Sequence, residues 1–105
     1  MTSVLLEFSM FPTDVIGSKS EYVGEIVKHV RNSKYPYQLN SMATIVECPS
    51  VVEALDLVKE CYEVLEKKDC GRIYSVLKFD IKKGESNRLI SKVNSVEKKI
   101  GKVNR

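Results

Sequence analysis

The chain has 105 residues, of which 43% are hydrophobic and 30% charged, and it carries a net charge of +3. This length is enough for one domain with its own core, and the composition excludes an intrinsically disordered chain. No apolar run approaches the roughly 20 residues that a membrane-spanning helix needs. We therefore expect one domain that comprises residues 1–105.

The first third of the chain predicts a strand followed by a helix. Residues 3–11 alternate with period two, and Pro12 ends the strand because proline cannot donate a hydrogen bond to a sheet ladder. A helix capped by Ser18 or Ser20 is expected to run to about Ser33. Its buried stripe is expected to comprise Tyr22, Val23, Ile26, Val27 and Val30.

A hairpin and a second helix are predicted next. After Pro36 the chain is too short and too β-branched for a helix, so we expect a turn near Asn40 and Ser41 and a strand from Met42 to Cys48. A second helix is expected over residues 51–68. Its buried residues are expected to be Val51, Leu55, Val58, Cys61, Tyr62 and Leu65.

The last part of the chain predicts one long strand and a terminal helix. Residues 72–82 alternate clearly, residues 84–87 form a turn, and a helix begins at about Arg88. Its narrow apolar stripe is Leu89, Val93, Val96 and Ile100. The order βαββαβ plus a terminal helix predicts an α+β two-layer sandwich of the ferredoxin-like type.

One face of this predicted sheet is mixed in character. Val4, Leu6, Phe8 and Met10 on the first strand and Ile73, Leu77, Phe79 and Ile81 on the last are expected to meet the two long helices. The open face collects Leu5, Glu7, Ser9, Phe11, Ile45, Glu47, Arg72, Tyr74, Val76, Lys78 and Asp80. We expect the last helix or a second copy of the chain to cover it. We also expect the last strand to outrun the first at a sheet edge, where strands pair readily with another chain.

Common catalytic motifs are missing from the sequence. There is no GxSxG, HExxH, P-loop or GxGxxG pattern, and His29 stands alone off the apolar stripe of its helix. Cys48, Cys61 and Cys70 match no metal-binding spacing, and the N-terminus lacks the pattern of a signal peptide. These absences leave phosphate cradling and metal-dependent hydrolysis without support, so we expect no metal and no cofactor in a reduced, cytoplasmic protein.

The charge is unevenly distributed along the chain. Residues 82–105 carry 8 basic and 2 acidic side chains, whereas residues 1–81 carry 9 basic and 12 acidic ones. A basic segment of this kind is typical of nucleic-acid-binding proteins, but no aromatic residues for base stacking are interleaved with these charges. We interpret it as a solvated helix face and expect neither nucleic acid nor a membrane as a partner.

The polar residues expected near one another at one end of the sheet are Ser9, Tyr37, Thr44, Glu47 and Tyr74. An enclosed carboxylate needs a cation or several donors to stay ionised, and Arg72 or Lys78 is a structural candidate for that partner of Glu47. Alternatively, Glu47 and a tyrosine bind a flat, nitrogen-rich cationic ligand. The sequence does not decide between Glu7 and Glu47 as the carboxylate that contacts it.

Three segments also carry a family resemblance: LLEFSMFPTD at 5–14, YQLNSMATIVEC at 37–48 and KVNSVEKKIGK at 92–102. With them the chain resembles the small thiamine-binding protein family, a former domain of unknown function whose two-repeat relatives are YkoF-like proteins. The resemblance implies a ferredoxin-like fold, homodimers or homotetramers, no enzymatic activity, and binding of thiamine or its hydroxymethylpyrimidine part.

The resemblance also implies particular ligand-binding residues. The matching positions are Ser9, Met10, Tyr37, Ser41, Thr44 and Glu47, and Tyr74 joins them as a candidate aromatic wall. Ala43 stands where the resemblance implies a glycine, and its methyl group narrows the space beside the ligand. The alternative function is a ligand-sensing regulatory module of similar fold that acts through a protein partner.

Overall fold

The computed structural model describes residues 1–105 and contains four strands and three helices. In chain order these are β1 (Thr2–Pro12), α1 (Ser20–Asn32), β2 (Tyr37–Leu39), β3 (Thr44–Cys48), α2 (Val51–Glu66), β4 (Ile73–Lys83) and α3 (Arg88–Ile100). The strands form one antiparallel sheet in the order β2-β3-β1-β4. The ferredoxin-like prediction is confirmed. None of the three helices is both long enough and apolar enough to cross a membrane.

The core lies between the sheet and the helix pair α1 and α2. The wholly apolar side of β1 is buried, as its alternation predicts, and it faces buried residues of both helices. The core residues are Val4, Leu6, Phe8, Met10, Ile26, Val30, Val46, Cys48, Ala54, Leu57, Cys61 and Leu65. Removal of this apolar surface from water is the main force that holds the two layers together.

The opposite face of the sheet is composed as predicted and is partly covered by α3. Leu5 pairs with both Glu47 and Asp80 across the sheet, and Glu7 pairs with both Ile45 and Lys78. Leu89 and Val93 of α3 bound a cavity together with Leu5 and Ile45, so the last helix lies over this part of the face. Tyr74 and Val76 of β4 are half exposed beyond it.

Two of the strand predictions are wrong. β1 and β4 have 11 residues each and pair along their whole lengths, so the last strand does not outrun the first. β3 begins at Thr44 rather than Met42, because the Asn40 N–H donates to the Ala43 carbonyl (2.9 Å) and closes the turn there. Met42 is consequently 90% exposed at the tip of the turn.

The buried face of α2 also differs from the prediction. Leu65 and Cys61 are buried as expected, but Ala54 and Leu57 complete the stripe. Val51, Leu55 and Tyr62, which were expected to be buried, are exposed. Apolar residues lie on more than one face of this helix, and the sheet packs against the stripe that includes the small side chain of Ala54. The helix ends at Glu66, two residues earlier than expected.

The other helix predictions are confirmed only in part. Ser18 accepts a hydrogen bond from the Ser20 N–H (3.2 Å), but the residue that directly precedes α1 is Lys19, which makes no side-chain cap. In α3, Leu89 and Val93 are half buried, whereas Val96 and Ile100 are exposed. Ile81, expected in the core, is half exposed near the end of β4.

Candidate ligand-binding site

A cavity of about 670 Å³ lies between α1, the end of β1 and the turn that joins β2 to β3. It exists because the pairing of β1 with β3 stops at Phe8 and Thr44, while β1 continues to Pro12. The volume falls within the range of about 300–1,000 Å³ that is usual for small-molecule pockets. We call this cavity the hairpin cleft.

The walls of the hairpin cleft are mainly apolar, with a few polar groups. The walls comprise residues 8–11 of β1, residues 39–44 of the hairpin, Val23, Ile26 and Val27 of α1, and Lys19. The polar members are Ser9, Asn40, Ser41, Thr44 and the ammonium group of Lys19. Apolar walls with a few oriented polar groups are the usual composition of a site for a small aromatic molecule.

Thr44 is the polar residue most deeply enclosed in the hairpin cleft. It is only 5% exposed, and its hydroxyl makes no hydrogen bond within the chain. No fully buried polar side-chain atom of the protein lacks a partner, so this hydroxyl keeps its access to the cleft. An enclosed hydroxyl without a protein partner is a ready hydrogen-bonding group for a ligand.

Aromatic rings connect the hairpin cleft to the open face of the sheet. The Lys19 ammonium lies 6.0 Å from the centre of the Phe11 ring, which lines the cleft. The Phe11 and Tyr74 rings lie 5.7 Å apart on neighbouring strands. Tyr74 therefore supports a wall of the cleft through Phe11 and does not line the cleft itself.

A second cavity of about 400 Å³ adjoins the hairpin cleft on the other side of β1. The two share five lining residues, which are Phe8, Ser9, Asn40, Met42 and Ala43. Glu7 and Val76 complete the second cavity. The Glu7 carboxylate is nearly half exposed and has one ion-pair partner, Lys78, at 3.4 Å. Glu7 is thus a carboxylate at the margin of the site with free hydrogen-bonding capacity.

Glu47, in contrast, is fully engaged in holding α3. Its carboxylate accepts hydrogen bonds from the Ser3 hydroxyl (2.6 Å) and from the backbone N–H groups of Arg88 (2.9 Å) and Leu89 (3.0 Å). Burial alone would raise the pKa of Glu47, but these hydrogen bonds outweigh it and hold that pKa below its usual value. The negative charge also suits the positive end of the α3 dipole.

Arg88 anchors the same end of α3 through a second carboxylate. Its buried guanidinium pairs with Asp80 at 2.6 Å, and Lys92 contacts the same Asp80 oxygen at 2.8 Å. Hydrogen bonds from these two cations lower the pKa of Asp80 to about 2. Arg72 instead donates to the Thr13 hydroxyl. With Lys78 paired to Glu7, the prediction that Arg72 or Lys78 balances Glu47 is therefore wrong.

The structure divides the seven predicted site residues into two groups. Those that line the hairpin cleft are Ser9, Met10, Ser41 and Thr44; those that do not are Tyr37, Glu47 and Tyr74. Glu47 lies opposite Leu5, four positions along β1 from Ser9, which is about 14 Å at 3.4 Å per residue. The expected gathering of these polar residues at one end of the sheet is wrong. Tyr37 pairs with Val46 and packs against the core.

Ten of the 14 residues that line the hairpin cleft are not among the predicted ligand-binding residues, and Asn40, Lys19 and Val27 are three of them. Asn40 lies in the predicted turn, and its position next to the predicted site residue Ser41 could have indicated that it lines the site. No comparable signal marked Lys19 or Val27, because nothing in the local pattern shows that the amino-terminal half of α1 lies beside the turn of a distant hairpin.

The remaining reactive side chains are occupied or inert. Burial raises the pKa of the Cys48 thiol to about 11 and that of the Cys61 thiol to about 12, so neither is an activated nucleophile. Cys70 is a free thiol as well, and partial burial and the nearby Asp14 and Asp69 raise its pKa. His29 contacts Glu60 at 2.7 Å across the α1–α2 interface, where it links the two helices.

Several basic side chains near the end of the chain form ion pairs with nearby carboxylates. Arg88 and Lys92 contact Asp80, Lys82 contacts Glu85, and Arg105 contacts Glu97. These pairs occupy half of the eight basic side chains after residue 81, which supports the interpretation as a solvated helix face.

Comparison with known proteins identifies the family of this fold. A family model described as "Thiamine-binding protein" matches residues 6–97. The chain belongs to this thiamine-binding protein family. It is 31% identical over 96 residues to a UPF0045 protein of Mycobacterium bovis, which covers 91% of this chain and 93% of that relative.

Solved structures of other proteins share the fold of this member of the thiamine-binding protein family. A hypothetical protein from Methanocaldococcus jannascii matches with a TM-score of 0.76 and 28% identity, over 90% of this chain and 95% of the other. A Thermotoga maritima protein proposed to act in thiamine biosynthesis or salvage matches with a TM-score of 0.66. Its identity is 24%, over 86% of this chain and 97% of the other, so this likeness shows the fold alone.

Proposed function

We propose that this single domain of residues 1–105 binds thiamine or its hydroxymethylpyrimidine moiety in the hairpin cleft without altering it chemically. The observation that carries the proposal is the unpartnered hydroxyl of Thr44, which is enclosed in an apolar cavity of about 670 Å³. Membership of the thiamine-binding protein family supports the choice of ligand.

The chemistry of the aminopyrimidine ring fits the polar groups of the hairpin cleft. The ring offers an exocyclic NH₂ donor and ring-nitrogen acceptors, which match hydroxyl and amide groups such as those of Thr44, Ser9 and Asn40. The apolar side chains of α1 and β1 provide a surface for the flat faces of the ring.

For the carboxylate that balances the cationic thiazolium we propose Glu7 in place of Glu47. Glu7 lies in the adjoining cavity, which shares five lining residues with the cleft, and only Lys78 competes for its charge. Glu47 already accepts three hydrogen bonds inside the protein. Recruiting Glu47 to a ligand would leave the first N–H groups of α3 without acceptors.

Calorimetric titration with thiamine tests the proposal. Thr44→Val keeps the shape of the side chain and removes the hydroxyl, so it should weaken binding by roughly five- to ten-fold, the loss of one neutral hydrogen bond. Thr2→Val, at the other end of β1, is the matched control and should bind like the wild type. No binding by the wild type at millimolar thiamine or hydroxymethylpyrimidine contradicts the proposal and favours a regulatory module for another ligand.

A glutamate variant tests the assignment of Glu7 as the ligand-binding carboxylate. Glu7→Gln should weaken thiamine binding roughly ten-fold while the melting temperature stays close to that of the wild type. Equal thiamine affinities of Glu7→Gln and the wild type would exclude Glu7 from the site. Mass spectrometry of thiamine after prolonged incubation should return the unchanged compound, and any product would contradict a non-enzymatic role.

We also propose that the protein works as a homodimer or homotetramer in the cytoplasm. β4 is an edge strand 11 residues long, and Tyr74 and Val76 expose apolar surface on it. Both features favour contact between copies of the chain. Three free cysteines suit a reducing compartment. Light scattering at micromolar concentration should give at least twice the chain mass of 11.9 kDa, and a pure monomer would contradict the assembly.

A further inference from the structure

The hairpin cleft contains one formal charge, and that charge is positive. Lys19 is the only ionisable residue that lines the cleft. It forms no ion pair with any carboxylate of the chain. An unpaired cation beside an apolar cavity gives that cavity an electrostatic preference for a ligand with a negatively charged group.

The first turn of α1 adds partial positive charge beside Lys19. Lys19 makes no side-chain cap, and Ser20 supplies the one backbone N–H that the Ser18 hydroxyl accepts, so later N–H groups of this turn lack side-chain acceptors. The amino end of a helix carries about half a positive charge and favours anions. Ser20, the acidic Glu21 and Tyr22 do not line the cleft themselves, whereas Lys19 before them and Val23 after them do, so this turn lies at the margin of the cleft.

Thr44 is a second feature of the cleft that suits a polar ligand. It is the residue with a deeply enclosed and unpartnered hydroxyl, and it lines the same cavity as Lys19. One ligand that occupies the cleft can therefore meet a hydrogen-bonding group in the interior and a cation beside α1.

We propose that the hairpin cleft prefers the phosphate monoester of its heteroaromatic ligand to the free alcohol, with the phosphate at Lys19 and the first turn of α1. This inference rests on the proposed function. Thiamine and hydroxymethylpyrimidine both carry a primary alcohol, and its phosphorylation adds a group of nearly two negative charges above pH 7. The two monoesters share this chemistry and differ in the ring that bears it.

Calorimetric titration at pH 8 with each alcohol and its monoester tests the inference. The wild type should bind at least one monoester roughly ten-fold more tightly than the corresponding alcohol, a difference of about 1.4 kcal/mol. Inorganic phosphate alone should bind far more weakly than that ester. Whichever ester shows the preference identifies the ring that occupies the cleft.

Two lysine variants give the test its control. In Lys19→Gln the ratio of ester to alcohol affinity should fall to near one, whereas Lys28→Gln, an exposed position on the same helix, should keep the wild-type ratio. Three results would each overturn the inference and leave the proposed function standing. They are equal binding of ester and alcohol by the wild type, an ester preference that persists in Lys19→Gln, and equal binding of inorganic phosphate and ester. If no alcohol and no ester binds, the proposed function fails and this inference fails with it.

Discussion

Replacing Glu47 with glutamine should destabilise the fold, because the buried carboxylate is the shared acceptor of three donors. Ser3 and Arg88 donate to one of its oxygens and Leu89 donates to the other. A glutamine amide with its oxygen toward Ser3 and Arg88 keeps those two bonds without their charge assistance. Its NH₂ group then faces the Leu89 N–H, so one donor loses its acceptor.

The magnitude of this loss follows from these three bonds. Each of two bonds changes from a charged to a neutral acceptor, and one donor is left unsatisfied, so the free energy of unfolding should fall by about 2–4 kcal/mol. For a domain of this size that lowers Tm by roughly 8–16 °C, at about 4 °C per kcal/mol. Urea denaturation and thermal melts followed by circular dichroism measure both quantities.

Glu7→Gln is the matched control, since the same substitution on the same face of the sheet removes only a half-exposed ion pair with Lys78. Its free energy of unfolding should stay within about 1 kcal/mol of the wild type. A Glu47→Gln protein as stable as Glu7→Gln would refute the assignment of Glu47 as the acceptor that holds α3.

Two further perturbations probe the attachment of α3. The folded-state pKa of Glu47 is lowered, so its contribution to stability is complete above the unfolded pKa of about 4.3 and is lost as pH falls further. The Tm gap between wild type and Glu47→Gln should therefore be constant above about pH 5.5 and narrow below about pH 4.5; a gap independent of pH would contradict an ionised Glu47. Deleting residues 88–105 removes half-buried Leu89 and Val93 and both backbone donors to the Glu47 carboxylate, and it should lower the unfolding free energy by about 3 kcal/mol or more. An unchanged denaturation midpoint would show that α3 is not packed on the sheet.

The sheet was predictable from the sequence because its two long strands alternate strictly. The side of β1 that carries Leu6 and Phe8 is wholly apolar, so the strand has only one orientation that buries it. The same alternation placed Glu7 and Lys78 together on the open face, where the register pairs them. Period-two patterns of this length predict both the strand and its buried face.

The buried face of α2 was not predictable, because the helix is apolar on more than one side. Leu55 and Leu57 both fit a helical stripe, and only the packing of the sheet against Ala54 decides between them. Val52 and Leu55 then remain exposed, so apolar spacing alone gave the wrong choice.

The candidate site was predicted in part, for a related reason. Ser9, Met10 and Thr44 were identified through the resemblance, and all three line the hairpin cleft. The role of Glu47 was hidden because its partners Arg88 and Leu89 lie 41 and 42 positions away along the chain. The local sequence around a carboxylate does not show whether it caps a distant helix or contacts a ligand.

The most direct test of ligand binding in the hairpin cleft is a crystal structure of the protein soaked or co-crystallised with thiamine. We expect density for the pyrimidine ring in the hairpin cleft, with a ring heteroatom or the amino group within hydrogen-bond distance of the Thr44 hydroxyl. Glu47 should still accept from the N–H groups of Arg88 and Leu89 in that complex. Density for thiamine against the Glu47 carboxylate, with α3 displaced, would contradict the account.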